Sequence, residues 1–229
     1  MAVSVDTVYK TVLLILNKEQ RGYITPDEFN KTANQVQLEI YLKYFDDLNQ
    51  FIRNTQVDLD YASKVLLLDE KMAIFKSQTT LNLTSSGFKL PVGLQELGTV
   101  VYNNIEIERV QRSLYYNILR SELTAPSTNY PIYLYEDGYI KVQPAQITTN
   151  VVANYLRIPL VVSWNYTVDP SRGNYIFNSG TSVNFELHSS EQTEIILRIL
   201  EYSGVIIRDA QVVQAAASKI QQSHISEKQ

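Results

Sequence analysis

The chain has 229 residues, with 20 Lys and Arg against 24 Asp and Glu for a net charge of −4. That length can bury a sizeable core, and the charge balance lacks the basic surplus of a dedicated nucleic-acid binder. The chain holds no Cys, which excludes disulfides, thiolate metal sites and thiol nucleophiles, and no run approaches the ~20 apolar residues of a membrane span.

The N-terminal MAVSVDTVYK has no basic stretch leading into a long apolar run, so no secretory signal is expected and the protein reads as made in the cytoplasm. The Asn-x-Ser/Thr triplets at Asn30, Asn82 and Asn165 are then chance matches. A first helix is predicted from about Ser4 to Lys18, with Val5, Val8, Val12 and Leu16 on one stripe. The segment after it, NKEQRGYITPDEF, has the Gly22, Ile24 and Glu28 spacing of the back half of a calcium loop. Its earlier ligand positions fall on Asn17, Glu19 and Arg21, and an arginine beside the ion closes the metal reading. The same letters spell a helix stop at Gly22, then a capping box in which Thr25 caps, Pro26 opens the helix and Glu28 reaches back. Phe29, Ala33, Val36, Ile40, Tyr44, Leu48 and Ile52 then mark a second helix to about Asn54, a rod of ~40 Å. A shorter third helix is expected over 58–75.

After Lys76 the period changes from helical to two. Ser85-Ser86-Gly87 makes a turn, and Asn103-Asn104 closes a hairpin with Val100, Tyr102, Ile105 and Ile107 on one face. A helix follows over about 109–123. Asp137-Gly138 closes the clearest hairpin, placing Tyr133, Tyr135, Ile140 and Val142 on one face and Ile132, Leu134, Tyr139 and Lys141 on the other. Both faces carry apolar groups, so cover is expected on each side. A β-rich run over 150–164 is broken by Pro159, and Val183, Phe185 and Leu187 alternate in a last strand. Ser189 or Ser190 caps a helix that Gly204 interrupts, with a further helical stretch over about 209–222. The expected organisation is an N-terminal helical part at 1–76, a β-rich part at 77–188, C-terminal helices at 189–222 packing on the N-terminal ones, and a polar tail at 223–229. That is an α+β fold, with the terminal helices in one bundle and a central, mainly antiparallel β domain.

Catalytic chemistry has no foothold in these letters. His188 and His224 are the only His residues, without zinc-ligand spacing, and no nucleophile elbow, Walker loop or dinucleotide fingerprint occurs. Glu106 and Glu108 read as solvated charges on one strand face. No catalytic, cofactor or metal residue is assigned, and the chain is not read as an enzyme. The 16 Tyr against one Trp and two Met suit a surface that binds yet stays wet. Tyr133, Tyr135, Tyr139, Trp164 and Tyr166 are therefore the candidate protein-interface residues. Trp164 with Tyr166 has the alternative reading of a stacking platform for a sugar, although a Trp at a strand end is more often core.

The run TVYKTVLLILNKEQRGYITPDEFNKTANQVQLEIYLKYFDDLNQ resembles structural proteins of tailed bacteriophages, in particular the head–tail connector (neck-ring) proteins of crAss-like phages. The likeness extends more loosely over 68–81, 155–164 and 184–216, where the strand-to-helix pattern is similar to podovirus tail adaptor proteins. It implies a virion protein assembling as a closed, commonly twelvefold ring below the portal. Such a ring would contact the portal and adjacent neck or tail proteins and surround genome DNA in its lumen without gripping it. The polar tail from Gln221 onward would order only against a neighbouring ring. A tail-associated carbohydrate- or receptor-binding module is the alternative.

Overall fold

The computed structural model describes residues 2–18, 23–53, 64–171 and 173–206, together with positions 214, 217–219, 221 and 222. The expected Gly22 helix stop, Arg21, the start of the third helix and the tail at 223–229 lie outside the described residues. In chain order the first half contains strand β1 (Ala2–Val3), helices α1 (Val5–Lys18), α2 (Pro26–Arg53) and α3 (Lys64–Ala73), strands β2 (Lys76–Thr80), β3 (Asn82–Thr84), β4 (Gly87–Lys89), β5 (Leu94–Tyr102) and β6 (Ile105–Arg109), and helix α4 (Arg112–Arg120). Strands β7 (Ile132–Glu136), β8 (Tyr139–Gln143), β9 (Val151–Arg157), β10 (Tyr166–Val168), β11 (Tyr175–Phe177) and β12 (Phe185–His188) follow, then helix α5 (Gln192–Ile206). The class is α+β, with terminal helices packed together and a separate, mainly antiparallel sheet.

Two compact units divide the chain, one of residues 1–72 with 159–229 and the other of 73–158. The boundary corrects the expected organisation. The β-rich part ends at 158, and β10, β11 and β12 belong with the helices.

In the helical unit, α2 begins as its letters require. Thr25 N–H and its hydroxyl both donate to Glu28 Oε2, at 2.9 and 2.7 Å, and Glu28 N–H returns a bond to Thr25 Oγ1 at 3.3 Å. These bonds hold the Glu28 carboxyl below its ordinary pKa. The carboxylate of the calcium-like spacing is thus spent on the cap. Phe29, Ala33, Val36 and Ile40 form one buried stripe of α2, Val5, Val8, Val12 and Leu16 one of α1, and α5, with buried Ile195 and Ile199, packs on both helices, while Phe29 meets the Tyr9 ring of α1. Two expectations fail here. His188, not Ser189 or Ser190, caps the 3-10 turn before α5, its Nδ1 accepting from Ser190 N–H at 3.3 Å. Gly204 does not interrupt α5, which runs through it to Ile206, and the residue is buried.

The β unit is one eight-stranded sheet in the order β2-β9-β5-β6-β7-β8-β4-β3. All pairs are antiparallel except β6 with β7, which are joined by α4 as a crossover. The strands at the two ends of this order, β2 and β3, are separated in sequence by Leu81 alone. Adjacent Cα atoms lie ~3.8 Å apart, so the sheet has to curl until its edges meet at that residue. Leu81 N–H donates to Val151 O at 2.8 Å, and its side chain joins the core inside the curl with Phe88, Val100, Ile107, Tyr133, Ile140 and Val151. The helix expected over 109–123 starts later, at Arg112, because β6 runs to Arg109. Both hairpins hold their expected register. Asn103 and Asn104 have φ of 45° and 65°, Asp137 and Gly138 of 51° and 75°, the paired positive values of a type I′ turn.

Gly87 has φ 129°, and a Cβ there would lie 2.7 Å from the Ile140 carbonyl oxygen. Gly138 has φ 75° with open space around it. Gly87→Ala should therefore destabilise the β unit by more than ~1–2 kcal/mol and by more than Gly138→Ala does, as read from urea unfolding of each variant.

Candidate protein-interaction site

The interface candidates divide between the two units. In the β unit, Tyr133 faces Val142 across the β7–β8 hairpin and is only 3 % exposed, and burial pushes its phenol pKa up. It is part of the inner core and offers a partner no surface. The opposite face carries Ile132 and Leu134, which pack with Val110 and Tyr115 of the α4 crossover. The expected second cover is thus the chain's own helix. Tyr139 is half-buried, and Tyr135, 39 % exposed, lies under the Arg109 guanidinium at 5.4 Å from its ring centre. Of the three hairpin tyrosines, Tyr135 is the one that presents a surface.

Trp164 and Tyr166 sit in the helical unit, and a row of amides on α2 fixes where. Asn30, Asn34 and Gln37 recur at steps of four and three on one side of the helix, flanking the core stripe. Residues 159–164 run past them as an extended strap. Trp164 N–H donates to Asn30 Oδ1 at 2.7 Å and its carbonyl accepts from Asn30 Nδ2 at 3.3 Å. Val162 makes the same pair with Asn34, at 2.7 and 2.8 Å. Leu160 O accepts from Gln37 Nε2 at 2.7 Å, while Leu160 N–H goes to Glu186 Oε2 at 2.7 Å and Gln37 Oε1 takes Glu186 N–H at 3.0 Å. The amides satisfy backbone groups as a neighbouring strand would. Pro159, with no N–H to donate, stands where regular pairing stops.

The strap drives Trp164 into the unit, where it is 3 % exposed. Its indole N–H donates to Asp6 Oδ1 at 3.2 Å, and Tyr9 lies 4.3 Å from its ring centre. Tyr166 and Phe177 stack over it at 5.8 and 5.7 Å. Tyr9 is buried with its hydroxyl toward Ile24 O at 3.4 Å, and burial drives its pKa far up. Trp164 is therefore the base of an aromatic stack, closed to a ligand. What reaches solvent is the layer above it, the two-stranded ribbon of β10 and β11, paired Tyr166–Phe177, Thr167–Ile176 and Val168–Tyr175.

A second polar arrangement joins α2 to α5. Arg198 donates to Glu194 at 2.9 Å through Nε and reaches Glu39 at 3.2 Å, Lys43 approaches Glu194 at 3.4 Å, and the Tyr202 hydroxyl donates to Glu39. Burial pushes the Glu194 carboxyl up, but Lys43 and Arg198 override it and hold the pKa below its ordinary value. In the β unit, a groove of about 520 Å³ lies on β2, β9 and β5, with Gln78, Glu96, Asn154 and Leu156 among its lining. Among the described residues there is no cluster of three or more His, Asp or Glu able to hold a metal, and no helix is long and apolar enough to cross a membrane. Sequence reasoning missed the amide row, whose signal is a polar N-x3-N-x2-Q step at helical spacing beside a core stripe.

Comparison of the sequence with protein-family models and with curated proteins finds no match.

Asn34→Ala removes both partners of the Val162 backbone, whose residue is buried. It should destabilise the helical unit by ~2–4 kcal/mol in chemical denaturation and expose the Val162 amide to faster hydrogen exchange. A carboxyl with a depressed folded pKa stabilises above its unfolded value, here 4.5, and loses that contribution as pH falls through the folded value. Unfolding midpoints measured from pH 7 down to ~3 should therefore fall less steeply for Glu194→Gln than for the parent chain.

Proposed function

We propose that the chain is a non-enzymatic virion structural protein of a bacteriophage head–tail connector. It assembles as a closed ring of twelve copies below the portal, contacts adjacent neck or tail proteins, and lets genome DNA pass through its lumen. The observation that carries the reading is the Asn17–Phe45 segment. Its resemblance to neck-ring proteins is sharpest there, and the same residues build the capped start of α2 and all three rungs of the amide row. A helical bundle carrying a separate β unit also fits the tail adaptors that the C-terminal pattern resembles. The net charge of −4 fits a lumen that passes DNA without neutralising its phosphates.

The carbohydrate-binding alternative draws on an aromatic platform at Trp164 and Tyr166. With Trp164 beneath Tyr166 and Phe177, that platform is not open to a sugar.

Negative-stain microscopy of the full chain mixed with portal protein should show rings on the portal, with acidic or neutral side chains lining the channel at higher resolution. A chain that stays monomeric with portal present, or a continuous basic lumen, would overturn the proposal.

A further inference from the structure

The β10–β11 ribbon has only three residue pairs, and an isolated two-stranded ribbon is marginal in water. One side of it rests on Trp164, yet Tyr166, Val168, Tyr175 and Ile176 remain 41 to 55 % exposed. Apolar groups therefore reach solvent from both faces, since Ile176 alternates with Tyr175 and Phe177. The same unit has a second unpartnered feature. On α2, the core stripe, the amide row and the Glu39–Lys43 side facing α5 leave one outward arc, and Leu38 and Leu42 occupy it at 38 and 42 % exposure, with half-buried Phe45 next in line.

The two features match in length. Residues 38 to 45 of a helix span ~10 Å, and a three-residue strand spans ~10 Å. Both are exposed in the same chain, so they do not cover one another within it. Four half-exposed side chains on the ribbon amount to on the order of 400 Å², about half the ~800 Å² per partner of a stable complex. One such contact leaves the free chain associating weakly. A copy in a closed head-to-tail array makes the contact twice, once with its ribbon and once with its helix.

We propose that the β10–β11 ribbon docks on the Leu38–Leu42 arc of α2 in a second copy of this chain. The inference rests on the oligomeric part of the reading above and names the two surfaces that meet. Contacts of this kind are heterologous, so they propagate around a ring rather than ending in a symmetric pair.

The chain has no Cys, so Ile176→Cys and Leu42→Cys variants each carry a single thiol at an exposed position. Mixed in concentrated solution under mild oxidation, they should form at least tenfold more cross-linked dimer than either variant alone, with the 42–176 linkage identified by mass spectrometry. A yield no greater than that of the single variants, or no cross-link at all, overturns the docking. Rings on portal without preferential cross-linking would remove this inference and leave the ring reading. Preferential cross-linking without rings would do the reverse.

Discussion

The helical unit depends on one coincidence of dimensions. Four residues of α-helix rise ~6 Å, and two residues of extended chain advance ~6.7 Å. A helix with amides at 30 and 34 can therefore meet every second residue of a strand lying along it, as Asn30 and Asn34 meet Trp164 and Val162. Gln37, one position short of a third repeat, has the longer side chain and serves Leu160 on one side and Glu186 on the other. Buried backbone groups without partners carry a free-energy penalty of ~1–3 kcal/mol each, so the row decides whether an extended segment can lie against a helix at all. Trp164, the aromatic stack and the ribbon above it all take their places from that strap.

The β unit solves a different problem by covalent means. An open eight-stranded sheet has two edges to protect. Here the chain joins them, because the strand that begins as β2 continues through Leu81 as β3. The single parallel pair is the price of placing α4 over the hairpin face of Ile132 and Leu134, since parallel neighbours need a crossover. That helix leaves both faces of β7 buried, which a hairpin with apolar groups on each side requires.

Much of this was legible in the letters, where the signal is local. The capping box at Thr25 and Glu28, the stripe of α2 and the type I′ turns at Asn103-Asn104 and Asp137-Gly138 each depend on neighbours in sequence, and each forms as read. What the letters hid depends on distant partners. Nothing near Trp164 says that Asn30, 134 positions away, will hold its backbone. Nothing near Phe185 says that β12 will pair with β1 at the other end of the chain rather than join the large sheet. Among the candidate interface residues, composition marked the right aromatic neighbourhood but not depth. Tyr133 and Trp164 are interior, while Tyr135 and Tyr166 reach solvent.

The strap also sets an order of events during synthesis. Residues 73–158 contain every strand of the large sheet, and their two ends already meet where Arg157 N–H donates to Phe75 O at 2.9 Å. That unit can complete itself once Arg157 has left the ribosome. The helices α1 and α2, made before it, gain Val162 and Trp164 for their amides soon afterwards but lack Ile195 and Ile199 for their core until some forty residues later. The apolar stripe from Val5 to Tyr44 precedes by far in the chain the α5 residues that share its unit, and its protection during that interval falls to whatever binds nascent hydrophobic helices in the cell.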